Sequence, residues 1–313
     1  MNVTEQGKAM KALEDMNLID DFLFGEVMAD EECGLEACRI ILSCVLKREV
    51  RNITFTAQKS VPGVSETSHG IRMDVYVTEE PDQTGESIRV YDVEPDKLSD
   101  RRESLPRRSR YYGGLIDTQL LNTGIDYEKL PDLVSIFILS YDPFGENALY
   151  YEAGTVVKTH PNVEYDDGVK RIFLYVKGKL PEDAGDDERR LQNLLRYIND
   201  SKDENVTDDN TDKLNNIVRH TKNKPGMGIK YMKSWERDRE LLRDERKRTE
   251  EAEQRAEEEK QRAEKEKQRA EEEKQRAEEE KQRAEKAEQR ADSLQAELDA
   301  AKAELARLKN NRV

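Results

Sequence analysis

Two acidic residues on neighbouring predicted strands are the residues of this chain best placed to do chemistry. The stretches Gly70 to Val77 and Ser87 to Glu94 alternate apolar and polar residues, which is typical of half-buried β-strands. Turn-forming residues lie between them, so an antiparallel hairpin is predicted. Asp74 and Glu94 lie 20 positions apart and can meet across this hairpin. Carboxylates within a sheet are costly unless they lie at a surface or bind a metal ion.

The hairpin and its flanking segments resemble the PD-(D/E)XK nuclease superfamily, and more narrowly its transposase and recombination-promoting nuclease branch. The resemblance covers about the first half of the chain and rests on four segments: Asp20–Met28, Gly70–Lys97, Leu105–Tyr112 and Ile136–Gly145. It implies an α/β fold with a restriction-endonuclease-like core, which is a central mixed sheet flanked by helices. It also implies cleavage of DNA and a link to mobile-DNA recombination.

The same resemblance implies that Asp74 and Glu94 hold Mg²⁺ or Mn²⁺, and that a Lys or Gln two positions after the Glu helps to place the attacking water. This chain has Asp96 at that position. An aspartate cannot donate as Lys or Gln does, so Asp96 is either an extra ligand or a sign of lost activity. Two functions therefore stay open, a metal-dependent DNA endonuclease and a decayed nuclease fold that binds DNA or protein as a scaffold.

Two neighbours of Asp96 affect this prediction. Pro95 has no backbone N–H, which indicates that the strand ends or lies at a sheet edge there. Lys97 is expected to point to the opposite face of the strand if the strand continues.

A cluster of arginines follows the acidic hairpin, on a helix predicted to begin near Ser104 with Pro106 in its first turn. Arg107, Arg108 and Arg110 can bind phosphates through their forked guanidinium groups. Alternatively, the arginines of this region pair with nearby acids on a solvated face, and the sequence leaves both interpretations open. The acids in question are Asp92, Asp96, Asp100 and Glu103.

Other residues with reactive side chains have simpler interpretations. Glu26, on a predicted N-terminal helix, either favours the helix dipole or reaches the metal site. Cys33, Cys38 and Cys44 lie in one apolar stretch without CxxC spacing, which predicts buried thiols in a reducing compartment rather than metal ligands or disulfides. His69 is predicted to be a loop histidine.

Composition divides the chain into parts of different character. Only 35% of the 313 residues are hydrophobic and 39% are charged, which is too polar for one compact unit throughout. We predict a nuclease-like domain over residues 1–200, an acidic hinge with a short helix over 201–228, and a long charged helix over 229–313. The net charge of −15 favours a local basic groove over a general nucleic-acid-binding surface. No apolar run suits a membrane span, and a cytoplasmic protein is expected.

The C-terminal segment repeats a seven-residue unit of the type Glu-Glu-Glu-Lys-Gln-Arg-Ala between Glu253 and Arg290. Alanine occupies one core position of this heptad, and glutamate occupies the other until residue 280. Leucines then appear in the core positions, at Leu294, Leu298, Leu305 and Leu308. This end can join two chains in a homodimer, whereas a single solvated helix or a disordered tail is the alternative.

Overall fold

The protein is described here from a computed structural model that covers residues 11–62, 71–81, 88–121 and 126–310. His69 lies outside these ranges. The chain forms two compact units, residues 1–236 and residues 237–313. The first unit extends past the boundaries predicted at residues 200 and 228.

The first unit contains a mixed six-stranded sheet with strand order β1-β2-β3-β4-β6-β5. The predicted hairpin is confirmed, because β2 and β3 pair antiparallel, as do β1 with β2 and β5 with β6. β4 pairs in parallel with both β3 and β6, so its mostly apolar sequence is buried on both faces. The strands are β1 Ile53–Val61, β2 Ile71–Glu79, β3 Arg89–Asp96, β4 Asp132–Leu139, β5 Tyr150–Ala153 and β6 Val169–Tyr175.

Helices cover both faces of this sheet, which makes the fold α/β as predicted. The helices are α1 Asp21–Met28, α2 Gly34–Leu46, α3 Leu105–Leu120, α4 Asp186–Asn199, α5 Asp209–Lys222 and α6 Met227–Asn310. Residues of α1, α2, α4 and α5 form the largest apolar cluster with one face of the sheet. Residues of α3 form two smaller clusters on the other face.

The end of β3 and the grouping of residues 201–228 differ from the sequence prediction. β3 continues through Pro95 to Asp96 as an interior strand, although its ladder with β2 ends at Val75 and Val93, before the proline. The short helix predicted within residues 201–228 is found as α5, and its Leu214 and Val218 are buried in the main core, so this segment is part of the first unit.

α6 is a single helix of 84 residues, as the absence of Pro and Gly after Gly228 leads one to expect. Its first residues pack on the core of the first unit, where Tyr231 is buried and its ring lies 4.9 Å from that of Phe22. In the second unit, the residues whose side chains are described are exposed, Leu294 and Leu298 among them.

Candidate active site

Asp74 and Glu94 meet where β2 and β3 separate. They are the first residues beyond the last paired residues of that ladder, Val75 and Val93. The backbone N–H of Asp74 donates a hydrogen bond of 3.0 Å to Oε1 of Glu94. The two side chains also interact with each other directly. The sequence prediction that these acids converge across the hairpin is therefore confirmed.

The opposite edge of β2 is also irregular beside Asp74. The β1–β2 ladder pairs Ala57 with Val75 and Lys59 with Met73 but passes over Gln58, which faces Asp74. Gln58 has φ +53°, a left-handed conformation that is uncommon for a residue other than glycine. Its Oε1 accepts a hydrogen bond of 2.6 Å from Arg72. Strain of this kind is often found at functional sites.

Asp92 is the acid that the sequence analysis did not select. Its side chain is completely buried, and among the described residues its carboxylate oxygens have no hydrogen-bond donor other than Glu94, which can donate only while it is protonated. The group that faces it is another acid, Glu94, and the charge of Asp74 also acts on it. A buried carboxylate without donors is costly unless it is protonated or binds a cation. Asp74, Asp92 and Glu94 together are called the acidic cluster below.

Burial and mutual repulsion change the ionisation of the acidic cluster. Burial, and then the charge of Asp21, raises the pKa of Asp74 to about 7. Burial, and then the charge of Asp74, raises the pKa of Asp92 to about 7. Burial, followed by the charges of Asp92 and Asp74, raises the pKa of Glu94 well above its usual value. A divalent cation would reverse these effects, because it stabilises the charged form of each acid.

Asp96 lies on the same strand but has its own partners. Its carboxylate forms an ion pair with Arg108 of α3 and accepts hydrogen bonds from the Tyr141 hydroxyl, at 3.1 Å, and the Leu98 N–H, at 2.8 Å. Arg108 is mostly buried in this pair. The alternative in which arginines pair with local acids therefore describes Arg108 and Asp96, although the buried Nε of Arg108 has no hydrogen-bond partner among the described residues.

The N-terminus of α1 approaches the acidic cluster. Asp21, the first residue of α1, is the helix acid whose charge acts on Asp74. Glu26, the acid predicted as a possible metal ligand, is instead bound by Lys230 at 2.5 Å. Lys97 lies just after the end of β3, and its ammonium group binds Asp20, the residue before α1.

The α3 helix presents a different set of groups on each side. Arg107 and Arg110 are exposed, and Tyr111 is 41% exposed. Tyr112 is half-buried against the sheet, where burial and the charge of Glu94 raise its pKa to about 12, so the phenol keeps its proton at neutral pH. One tyrosine of the pair thus packs in the core and the other faces solvent.

A second group of possible ligands lies beyond the other end of α1. Among the described residues, Asp30, Cys33 and His220 form a group of three whose donor atoms all lie within 4.8 Å of one another, and this group could hold a metal ion. Asp30 is buried, Cys33 is half-buried and His220 is exposed. The spacing of the cysteines gave no indication of this group, because His220 comes from a distant helix.

Comparison of the chain with protein-family models, with curated proteins and with solved structures finds no match. Within the described ranges, none of the helices combines the length and the apolar composition that crossing a bilayer requires.

Proposed function

We propose that this protein is a metal-dependent phosphodiesterase that cleaves DNA, related in mechanism to the PD-(D/E)XK transposase nucleases. The observation that carries the proposal is the acidic cluster, in which the buried Asp92 lies next to Asp74 and Glu94 and, among the described residues, has no hydrogen-bond donor other than a protonated Glu94. Three acids in one place at the end of a strand pair are expensive for a merely structural site. The central mixed sheet flanked by helices supports a restriction-endonuclease-like core.

The donor set of the acidic cluster fits Mg²⁺ or Mn²⁺. Both are hard cations that prefer carboxylate oxygens, and Mg²⁺ in phosphate-cleaving sites is commonly held by one or two carboxylates together with water and substrate. Asp74 and Glu94 are the two ligands. Asp92 lies next to Glu94 and contributes negative charge that balances the charge of the cation. When bound, the cation polarises the scissile phosphate and lowers the pKa of a water molecule.

Residues around the cluster supply binding and orientation. The exposed Arg107 and Arg110 contact the DNA backbone and offset the repulsion between its phosphates and the cluster. Tyr112, which keeps its proton, can donate a hydrogen bond near the cluster. Arg108 and Asp96 join α3 to β3 and fix the position of the helix, so they act as positioning residues.

One observation favours the second candidate, a nuclease fold that binds DNA without cleaving it. The position two residues after Glu94 is Asp96, and its carboxylate is occupied by Arg108, Tyr141 and the Leu98 N–H. No Lys or Gln side chain stands at that position to place a water molecule.

Incubation of the full-length protein with supercoiled plasmid and Mg²⁺ or Mn²⁺ separates these two functions. We expect nicking or linearisation, and a loss of at least about 100-fold in rate for Asp74→Asn and for Glu94→Gln. Glu103→Gln, which changes an exposed acid outside the cluster, is the matched control and should retain full activity. Plasmid that is bound but stays intact with either cation would leave only the binding function.

A further inference from the structure

The connection between α1 and α2 and the end of α5 bring together the oxygen, sulfur and nitrogen donors of Asp30, Cys33 and His220. His220 Nε2 lies 3.8 Å from Oδ2 of Asp30 and 3.5 Å from Oε2 of Glu32. Ligand atoms bound to one tetrahedral zinc ion at about 2.0 to 2.3 Å are separated by roughly 3.3 to 3.8 Å. The donors of the group are therefore already close to the spacing of a zinc site.

The turn that carries Asp30 and Cys33 is held rigidly. The Gly34 N–H donates a hydrogen bond of 2.9 Å to the Asp30 carbonyl oxygen, and the Glu32 N–H donates one of 3.0 Å to Oδ1 of Asp30. A Cβ at Gly34 would lie 2.5 Å from the Met28 carbonyl oxygen, so only glycine fits this turn. This rigidity places two donors before any ion binds, as a metal site requires.

A cation already occupies part of this position. The Lys224 ammonium lies 2.6 Å from Oδ2 of Asp30, whose side chain is 1% exposed. The buried carboxylate therefore requires positive charge in any state of the protein. Lysine supplies one charge and no coordination bonds, whereas a divalent ion of borderline softness would engage the sulfur, the nitrogen and the oxygen at once.

We propose that Asp30, Cys33 and His220 bind a structural Zn²⁺ ion that displaces the ammonium group of Lys224. The ion connects the α1–α2 turn to α5, about 12 Å along α1 from the end that faces the acidic cluster. Glu32, whose Oε2 lies 3.5 Å from Nε2 of His220, completes the tetrahedron. The Cys33 thiol gives up its proton to solvent as the zinc–sulfur bond forms, so binding weakens as the pH falls. Burial and the charge of Asp30 raise the pKa of this thiol to about 11, so the ion must compete with a tightly held proton.

Cobalt substitution tests this site in the full-length protein, because a Co²⁺–thiolate bond has a charge-transfer absorption band that carboxylates and imidazoles do not produce. We expect the band in the wild type, its displacement by Zn²⁺, and its loss in Cys33→Ser. The band should persist in Cys44→Ser, which removes a buried thiol of the same helix region, and in Asp74→Asn, which disables the acidic cluster. His220→Ala should weaken Co²⁺ binding by at least about tenfold, and His160→Ala, an exposed histidine elsewhere, should not.

Lys224→Ala distinguishes a metal site from a simple ion pair. Without metal, this variant removes the ion-pair partner of Asp30, and its melting temperature should be lower than that of the wild type. Zn²⁺ should restore the melting temperature. Zn²⁺ should also bind the variant about tenfold more tightly than the wild type, because no ammonium group has to be displaced. The proposal is overturned if folded wild type and folded Lys224→Ala both lack the charge-transfer band, or if the band survives in Cys33→Ser.

Discussion

Asp92 shows how a single residue can determine the character of a site. In the described part of the chain, its two oxygens have no hydrogen-bond donor other than a protonated Glu94, and the charged groups that act on it are the acids Glu94 and Asp74. In the absence of a cation, protonation is the way that this carboxylate can be accommodated in the interior. The protein therefore has to bind protons or metal ions at this place.

The first prediction concerns the pH dependence of stability. The pKa values of Asp74 and Asp92 are raised in the folded state, so the folded protein binds more protons than the unfolded chain between about pH 4 and pH 7. The acidic cluster therefore contributes a destabilisation that is absent below about pH 4, grows as the pH rises and is complete above about pH 7. With a chelator present, Asp92→Asn should raise the free energy of unfolding by about 2 kcal/mol near pH 8 and have little effect near pH 4.

Denaturant unfolding of the wild type and of Asp92→Asn at the two pH values measures this difference. Asp183→Asn changes an exposed acid in the loop before α4 and is the control. Its effect on the free energy of unfolding should be small and the same at both pH values. If Asp92→Asn were destabilising near pH 8, the buried carboxylate would have a hydrogen-bond donor that this structure does not show.

Single residues also show what the sequence could and could not reveal. Asp74 and Glu94 were predictable, because strand periodicity and a short turn determine which residues meet. Asp92 lies on the same face of β3 as Glu94, so the sequence could predict that the two acids are close. The sequence could not predict that Asp92 lacks other hydrogen-bond donors, because this depends on which residues of α3 and β4 surround it.

At the scale of elements, α3 places its arginines in different environments. Arg108 faces the sheet and pairs with Asp96, whereas Arg107 and Arg110 face solvent. The sequence leaves phosphate binding and local pairing open for all three. The structure answers this for Arg108 alone, because residues one position apart point about 100° apart around the helix axis and only Arg108 of the three faces Asp96.

The second prediction is that the two exposed arginines bind nucleic acid. Arg107→Ala and Arg110→Ala should each weaken binding of an oligonucleotide, and each should reduce the slope of log affinity against log salt concentration by about 1. Fluorescence anisotropy across a salt series measures both quantities. Arg196→Ala, an exposed arginine on α4, should leave them unchanged, and equal effects at all three arginines would indicate nonspecific charge attraction.

The third prediction is that Arg108 stabilises the fold. Arg108→Ala leaves Asp96, which is 7% exposed, without its ion-pair partner and should cost about 3 kcal/mol. Chemical unfolding measures this cost. The double variant Arg108→Leu with Asp96→Leu should recover much of it, and a single variant as stable as the wild type would contradict the structural role assigned to this pair.

Most elements could be predicted because each has a clear periodicity. The hairpin of β2 and β3 and the long helix α6 are examples, and both are found where expected. β3 does not end at Pro95, but the proline lies beyond the last residue that β3 pairs with β2, so its missing N–H costs no hydrogen bond to that strand. The helix predicted before Lys224 is found as α5, whereas the acidic composition of its surroundings did not show that it packs in the main core.

At the scale of the whole molecule, the charges of α6 indicate where two chains can join. In a parallel pair of helices in heptad register, Glu297 of one chain faces Lys302 of the other. In the middle of the repeat, Arg262 would face Lys267 instead. Oppositely charged pairs between the two chains coincide with leucines in the heptad core only near the C-terminal end. We therefore propose a parallel homodimer through residues 284–310.

The fourth prediction follows from this register. Light scattering of the full-length protein should show a dimer, and a double variant with Leu294→Glu and Leu298→Glu should be a monomer, because both leucines are core positions of the heptad. Ala263→Glu introduces the same charge in the middle of the repeat, where no contact between chains is proposed, and should leave the dimer intact. A wild type that is monomeric at every concentration would refute the homodimer.

Electron paramagnetic resonance of Mn²⁺ shows whether the acidic cluster binds a divalent cation. The measurement is best made in a Cys33→Ser background, so that the proposed zinc site does not contribute. We predict that the signal of free Mn²⁺ falls on addition of this protein, and that Asp74→Asn or Glu94→Gln weakens the binding by at least about tenfold. An unchanged affinity in both variants, or no binding by the parent protein, would contradict the account.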